Sequence, residues 1–217
     1  MLGLSPPQLI SNILTLIIAI TVHEFSHAYM ADRLGDSLPR RQGRITLNPM
    51  LHLDPLGSIM MIFIGFGWGR AVQVNPFNLS FRGSRDLGMV LVAVAGPFSN
   101  LVLALLAAIP IRLGVFEFFD LPGIPGFTPA LSEFFITFIL INIGLILFNM
   151  LPIAPLDGSK IAVGLLPRPW AEVIARLEPY GPMILLLLMV SGQFGFDIFG
   201  LIMAPAQRGL FNLITGL

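Results

Sequence analysis

Four stretches of this chain are long and apolar enough to cross a bilayer, and they limit what it can fold into more than any other feature. They are Leu9–Met30, Leu87–Ile111, Phe134–Leu151 and Pro182–Ala204. A helix of about 20 mostly apolar residues spans the hydrocarbon. No water is present there, so each backbone N–H and C=O must be satisfied within the segment. The expected fold is therefore a mainly α membrane protein with about four transmembrane helices. Composition agrees, because 11% of the 217 residues are charged against about 25% in a soluble domain. The chain leaves no room for a separate soluble domain of about 100 residues, so residues 1–217 read as one integral-membrane domain. The N-terminus lacks the basic start of a secretory signal peptide, and the first apolar stretch is expected to be retained.

The segment of about 36–82 has a different character. Arg44-Ile45-Thr46-Leu47 and Ala71-Val72-Gln73-Val74 are short runs, each followed by Asn-Pro, a turn and strand-stop signal. They predict a small β-sheet at the membrane surface, with irregular loop as the alternative. Leu56–Phe66 is apolar but only 11 residues long, which suits a re-entrant or interfacial element.

Arginine and lysine placement sets the expected orientation. Seven of the twelve positive residues (Arg33, Arg40, Arg41, Arg44, Arg70, Arg82 and Arg85) fall between the first two stretches. Lys160, Arg168 and Arg176 lie between the third and fourth, whereas the second connection holds only Arg112 and the C-terminal tail only Arg208. The two basic segments should face the cytoplasm and the sheet should lie on that side. Net charge is zero, which gives a nucleic-acid partner no footprint. Cysteine is absent, so thiolate metal sites, disulfides and cysteine nucleophiles are excluded.

His23-Glu24-Phe25-Ser26-His27 stands inside the first helical stretch. Helix geometry stacks residues four apart on one face, so His23 and His27 can share a Zn²⁺. Glu24 then lies where a carboxylate can act as general base on a zinc-activated water. The alternative is a pair of interfacial polar residues, but a charged group at membrane depth costs about 2.5–3.5 kcal/mol and is rare without a task. A catalytic zinc site needs a third protein ligand. His52, the only other histidine, sits in a Pro-flanked loop. Asp157 follows Pro152 and Pro155, which must end the third helix. Broken backbone at membrane depth is tolerated only where it lines a cavity or is buried in protein. The expected topology also puts His23, His27 and Asp157 at a similar depth on the cytoplasmic side. Asn149, just before this break, can donate to an oxyanion or simply cap or bond between helices. Asn142 reads as a helix–helix hydrogen bond. Ala95–Asn100 interrupts the second stretch with small residues and a proline, and Asn100 reads as packing that shapes the site.

Together these motifs resemble the site-2 protease family of intramembrane zinc metalloproteases (peptidase family M50). The matching pieces are His23–His27, Gly96-Pro97-Phe98-Ser99-Asn100, and Asn149 through Leu156-Asp157-Gly158. Gly43–Pro49, His52–Gly57 and Gly67–Arg70 are similar to its compact branch, without PDZ or CBS domains. Ala71 stands where that branch often has proline, and Ser159 where it often has a second glycine. The resemblance covers about residues 10–190 and implies a three-helix core with one Zn²⁺ per chain. The implied ligands are His23, His27 and Asp157, with Glu24 as base and Asn149 at the oxyanion. It implies an endopeptidase that cuts transmembrane segments of other membrane proteins, in a prokaryotic cell membrane. Partners would be such substrates and the lipid bilayer, with oligomeric state left open. Two rivals are a non-proteolytic scaffold of the same family and a divalent-metal transporter. A scaffold would usually lose a ligand or the base. A transporter would repeat polar residues along several spans, whereas here they cluster at one depth.

Overall fold

The computed structural model describes residues 5–57, 69–118, 120–126, 129–191 and 195–217. The helices that build the core and the site are α1 (Pro6–Arg33), α2 (Arg85–Arg112), α3 (Leu131–Asn149), α4 (Asp157–Leu165), α5 (Arg168–Leu177), α6 (Gly181–Val190) and α7 (Ile198–Thr215). Among the described residues, four helical segments are long and apolar enough to cross a membrane: Pro6–Arg33, Arg85–Arg112, Leu131–Asn149 and Arg168–Val190.

Helix α1 starts on Pro6 and Pro7, with the Gln8 side chain accepting from the Ser5 N–H at 3.0 Å. Proline suits this first turn because its missing donor is not needed there. The helix ends at Arg33, and the chain turns away at Gly35, whose φ is +107° and where a Cβ would stand 2.9 Å from the Asn78 carbonyl. At 1.5 Å per residue, 28 residues make a rod of roughly 42 Å. His27 lies six residues before its end, roughly 9 Å along the axis.

Helix α2 packs between α1 and α3. Alanines line these contacts: Ala19, Ala28, Ala31, Ala93, Ala104 and Ala108 are all buried. Small residues let helix backbones approach closely where lipid supplies no hydrophobic drive between them. Pro97 does not interrupt α2, which runs unbroken from Arg85 to Arg112. Ser84 caps it by accepting from the Leu87 N–H at 3.2 Å.

The expected small sheet does not form: among the described residues there is no strand, only the isolated bridges Leu53–Gly69 and Phe81–Ser84. Residues of both runs are tied elsewhere. Arg44 turns inward and donates to the carbonyls of Leu51 and Arg70. The Val72 N–H goes to the Glu24 carboxylate. Buried Asp36 accepts from the Asn75 N–H at 2.7 Å and from Asn78 Nδ2 at 3.0 Å. Side chains thus do the fastening that ladder hydrogen bonds do in a sheet. From residue 58 onward, the short apolar element Leu56–Phe66 lies outside the described residues.

The C-terminal end is organised differently from the apolar pattern. The run from 182 to 204 is divided, because Asp197 accepts from the Gly200 N–H at 2.7 Å and caps a new helix, α7. Gln207 of α7 donates to the Leu140 carbonyl at 3.1 Å, and Arg112 of α2 donates to the Ile214 carbonyl at 2.7 Å. Ile214 joins a buried cluster with Ala104, Ala107, Phe138, Ile139 and Ile143. Helix α7 is therefore part of the core that holds α2 and α3 together.

Candidate metal centre

The centre lies where α1, α2 and the start of α4 meet. His23 and His27 stack one turn apart on α1, with ring centroids 4.6 Å apart. Asp157 is the first residue of α4, delivered by the chain reversal after α3. That reversal needs Gly158: a Cβ there would meet the Met150 and Leu151 carbonyls at 2.4 Å. All three side chains are buried.

His23 Nε2 and His27 Nε2 are 3.0 Å apart, and Asp157 Oδ2 lies 3.2 Å from the first and 3.1 Å from the second. Ligand atoms about 2.0–2.1 Å from a tetrahedral zinc stand roughly 3.3 Å apart, so this triangle fits one such ion. The outer ring nitrogens agree. His27 Nδ1 donates to the Val92 carbonyl at 2.7 Å, and His23 Nδ1 meets Asn100 Oδ1 at 2.6 Å. With both Nδ1 atoms protonated, both Nε2 lone pairs point at the same spot. The third wall is Gly96 of α2, where a Cβ would stand 2.4 Å from His27 Nε2 and 2.6 Å from His23 Nε2. Asp157 turns its buried Oδ2 toward both imidazoles. Lys160 Nζ adds a contact at 3.4 Å to the other oxygen.

Glu24 is placed by the segment beyond α1. Its Oε2 accepts from the Val72 N–H at 3.0 Å, and the buried Arg44 guanidinium stands 3.8 Å away. Gly69 keeps this approach open, since a Cβ there would meet Ile20 at 2.7 Å and Glu24 Oε1 at 3.6 Å. Burial draws the Arg44 pKa down, and the Glu24 charge opposes it. His52 is fully buried but stands apart from the three, with Nε2 donating to the Thr46 carbonyl at 2.7 Å. Asn149 turns its amide back along α3, donating to the Leu145 carbonyl at 3.0 Å. Asn100 has a larger part than packing, because it holds a ring nitrogen of His23 directly. An asparagine one turn after Gly96 was the only signal of this in the sequence.

Over 179 residues the chain is 40% identical to "Putative zinc metalloprotease YwhC" of Bacillus subtilis, covering 82% of this chain and 80% of that protein. The chain belongs to this zinc metalloprotease family. It is also 29% identical over 181 residues to "Putative zinc metalloprotease Rip2" of Mycolicibacterium smegmatis, covering 81% of this chain and 64% of that one. For the protein of the same name from Mycobacterium tuberculosis the identity is 28% over 192 residues, 86% of this chain and 69% of the other. No family model and no solved structure matches the chain. Zinc is thus the metal the family implies, and the imidazole–imidazole–carboxylate donor set suits it.

Proposed function

We propose that this chain is an intramembrane endopeptidase, hydrolysing peptide bonds within transmembrane segments of other membrane proteins. One observation carries the reading: His23 and His27, on a helix long and apolar enough to cross a bilayer, meet Asp157 against Gly96 of a second such helix. A hydrolytic centre built there has membrane-embedded peptide as its nearest substrate. One zinc per chain is held by these three side chains, and His52 takes no part. Zinc bound there supplies an acidified water and polarises the peptide carbonyl.

The remaining work falls to the chain. With Glu24 Oε2 engaged by the Val72 N–H, Oε1 is the oxygen that takes the proton from the attacking water and passes it to the leaving amine. Arg44 and Val72 keep that carboxylate aimed. Asn149 donates to the oxyanion once its amide leaves the Leu145 carbonyl. A substrate helix hides its carbonyls in hydrogen bonds, so it must unwind first. Ala71–Val74, the run that reaches Glu24, or Arg44–Leu47 would pair with the unwound strand. The protein crosses a prokaryotic cell membrane several times, with the centre toward the cytoplasm, and the arginine skew supports this orientation.

Glu24→Gln tests the assignment. Glutamine keeps an oxygen for the Val72 N–H and removes the base. Cleavage of a transmembrane reporter in proteoliposomes should fall by about 10²–10⁴-fold with zinc content unchanged. Cleavage at the wild-type rate would overturn the mechanism.

A further inference from the structure

We propose that Asn142 and Asn100 form a polarised hydrogen-bond chain that sets the tautomer of His23 and so opens its Nε2 to metal. Both asparagines are fully buried. Asn142 Nδ2 meets the Phe138 carbonyl at 2.8 Å, Asn142 Oδ1 meets Asn100 Nδ2 at 2.8 Å, and Asn100 Oδ1 meets His23 Nδ1 at 2.6 Å.

The direction of this chain is dictated at one end. A backbone carbonyl can only accept, so the group of Asn142 facing Phe138 must be the amide nitrogen. Its oxygen then faces α2, which accepts only the amide of Asn100. The Ala19 carbonyl, 3.4 Å from the same Asn100 nitrogen, demands the same orientation. That leaves Asn100 Oδ1 toward His23, so Nδ1 must carry the proton. Reversing either amide would put a proton on His23 Nε2, against His27 Nε2 at 3.0 Å, and close that ligand position.

His27 needs no such device, because the Val92 carbonyl reads its Nδ1 directly. His23 has only an amide beside it, which can face either way, and an amide carries information only if something orients it. Asn142 does so from α3 at 2.8 Å, with the Ala19 carbonyl a weaker second partner at 3.4 Å. The chain therefore links one metal ligand on α1 to the position of α3 through α2. Asn100 and Asn142 act as positioning residues for His23.

This inference rests on the proposed metal centre, but its first readout needs no metal. We would record side-chain ¹⁵N spectra of the histidines in the zinc-free, detergent-purified full chain, and zinc affinity by chelator competition. The variants are Asn142→Leu, Asn100→Leu, Asn100→Asp and the double variant Asn100→Asp/Asn142→Leu, with Asn142→Ala in reserve should the leucine variant fail to fold. Wild type should show His23 as a single Nδ1–H tautomer. Asn142→Leu should mix the tautomers and weaken zinc about 10–100-fold, the usual cost of losing an outer partner of a ligand. Asn100→Asp can only accept from Nδ1–H, so it should hold zinc near wild-type affinity even beside Asn142→Leu. A single tautomer and unchanged affinity in Asn142→Leu would overturn the chain, as would a double variant as weak as Asn142→Leu alone. A wild-type protein with the single tautomer but no zinc binding would sink the metal reading and leave the chain standing.

Discussion

A methyl group at position 96 would stand within 2.4–2.6 Å of Nε2 of both His23 and His27, inside the space that an ion held between them would need. Helix α2 cannot yield there without losing the Val92 and Asn100 contacts that orient the two imidazoles. Gly96→Ala should therefore weaken zinc binding by about tenfold or more while the helices still form, because alanine favours a helix interior over glycine. Chelator competition beside a circular-dichroism melt checks this, and zinc affinity equal to wild type would refute it. The same scale shows what could be read from sequence and what could not. His23 and His27 were legible because four residues make one helical turn wherever the helix sits. Asp157 was legible because two prolines force a break before it. Asn100 and Asn142 look like any polar residues that bond helices together. Their role depends on how three helices are rotated about their axes, and no local pattern records that.

At the scale of elements, the segment between α1 and α2 shows how little a four-residue run specifies. Arg44–Leu47 and Ala71–Val74 have the composition of strands, but among the described residues neither pairs into one. Their fastening comes from side chains distributed along the segment: Arg44 to two carbonyls, Asp36 to Asn75 and Asn78, His52 to Thr46. Helix α7 was hidden for a related reason. The run 182–204 is apolar on average, but the first helix in it ends at Val190, Gly195 takes a positive φ, and Asp197 caps the next helix. Arg44 carries the functional weight of its segment, since it joins Leu51 and Arg70 while standing 3.8 Å from Glu24. Lysine keeps the charge but cannot fork to two carbonyls. Arg44→Lys should then slow reporter cleavage by about tenfold and leave zinc content unchanged, because Arg44 touches none of the three proposed ligands. Parallel assays of cleavage and bound zinc decide it; loss of zinc would mean that the segment supports the centre and not only the base.

For the whole molecule, the decisive question is whether the four long apolar helices cross the bilayer. Their order makes a definite prediction. If α1, α2 and α3 each cross, segments 34–84 and 150–167 share one side and segment 113–130 lies on the other. Seven of the twelve basic residues lie on or bound the first of these segments, which places it in the cytoplasm. The chain contains no cysteine, so single cysteines can be introduced without background. Met50 and Leu121 are exposed positions on opposite expected sides, and neither contributes to the centre. Met50→Cys should react with an impermeant maleimide only in inside-out vesicles, and Leu121→Cys only in intact cells. Labelling of both from one side would mean that α2 does not cross. The His–His–Asp centre would then rest on the membrane rather than in it, a substrate helix would have to leave the bilayer to be cut, and a peripheral peptide would become the better candidate substrate.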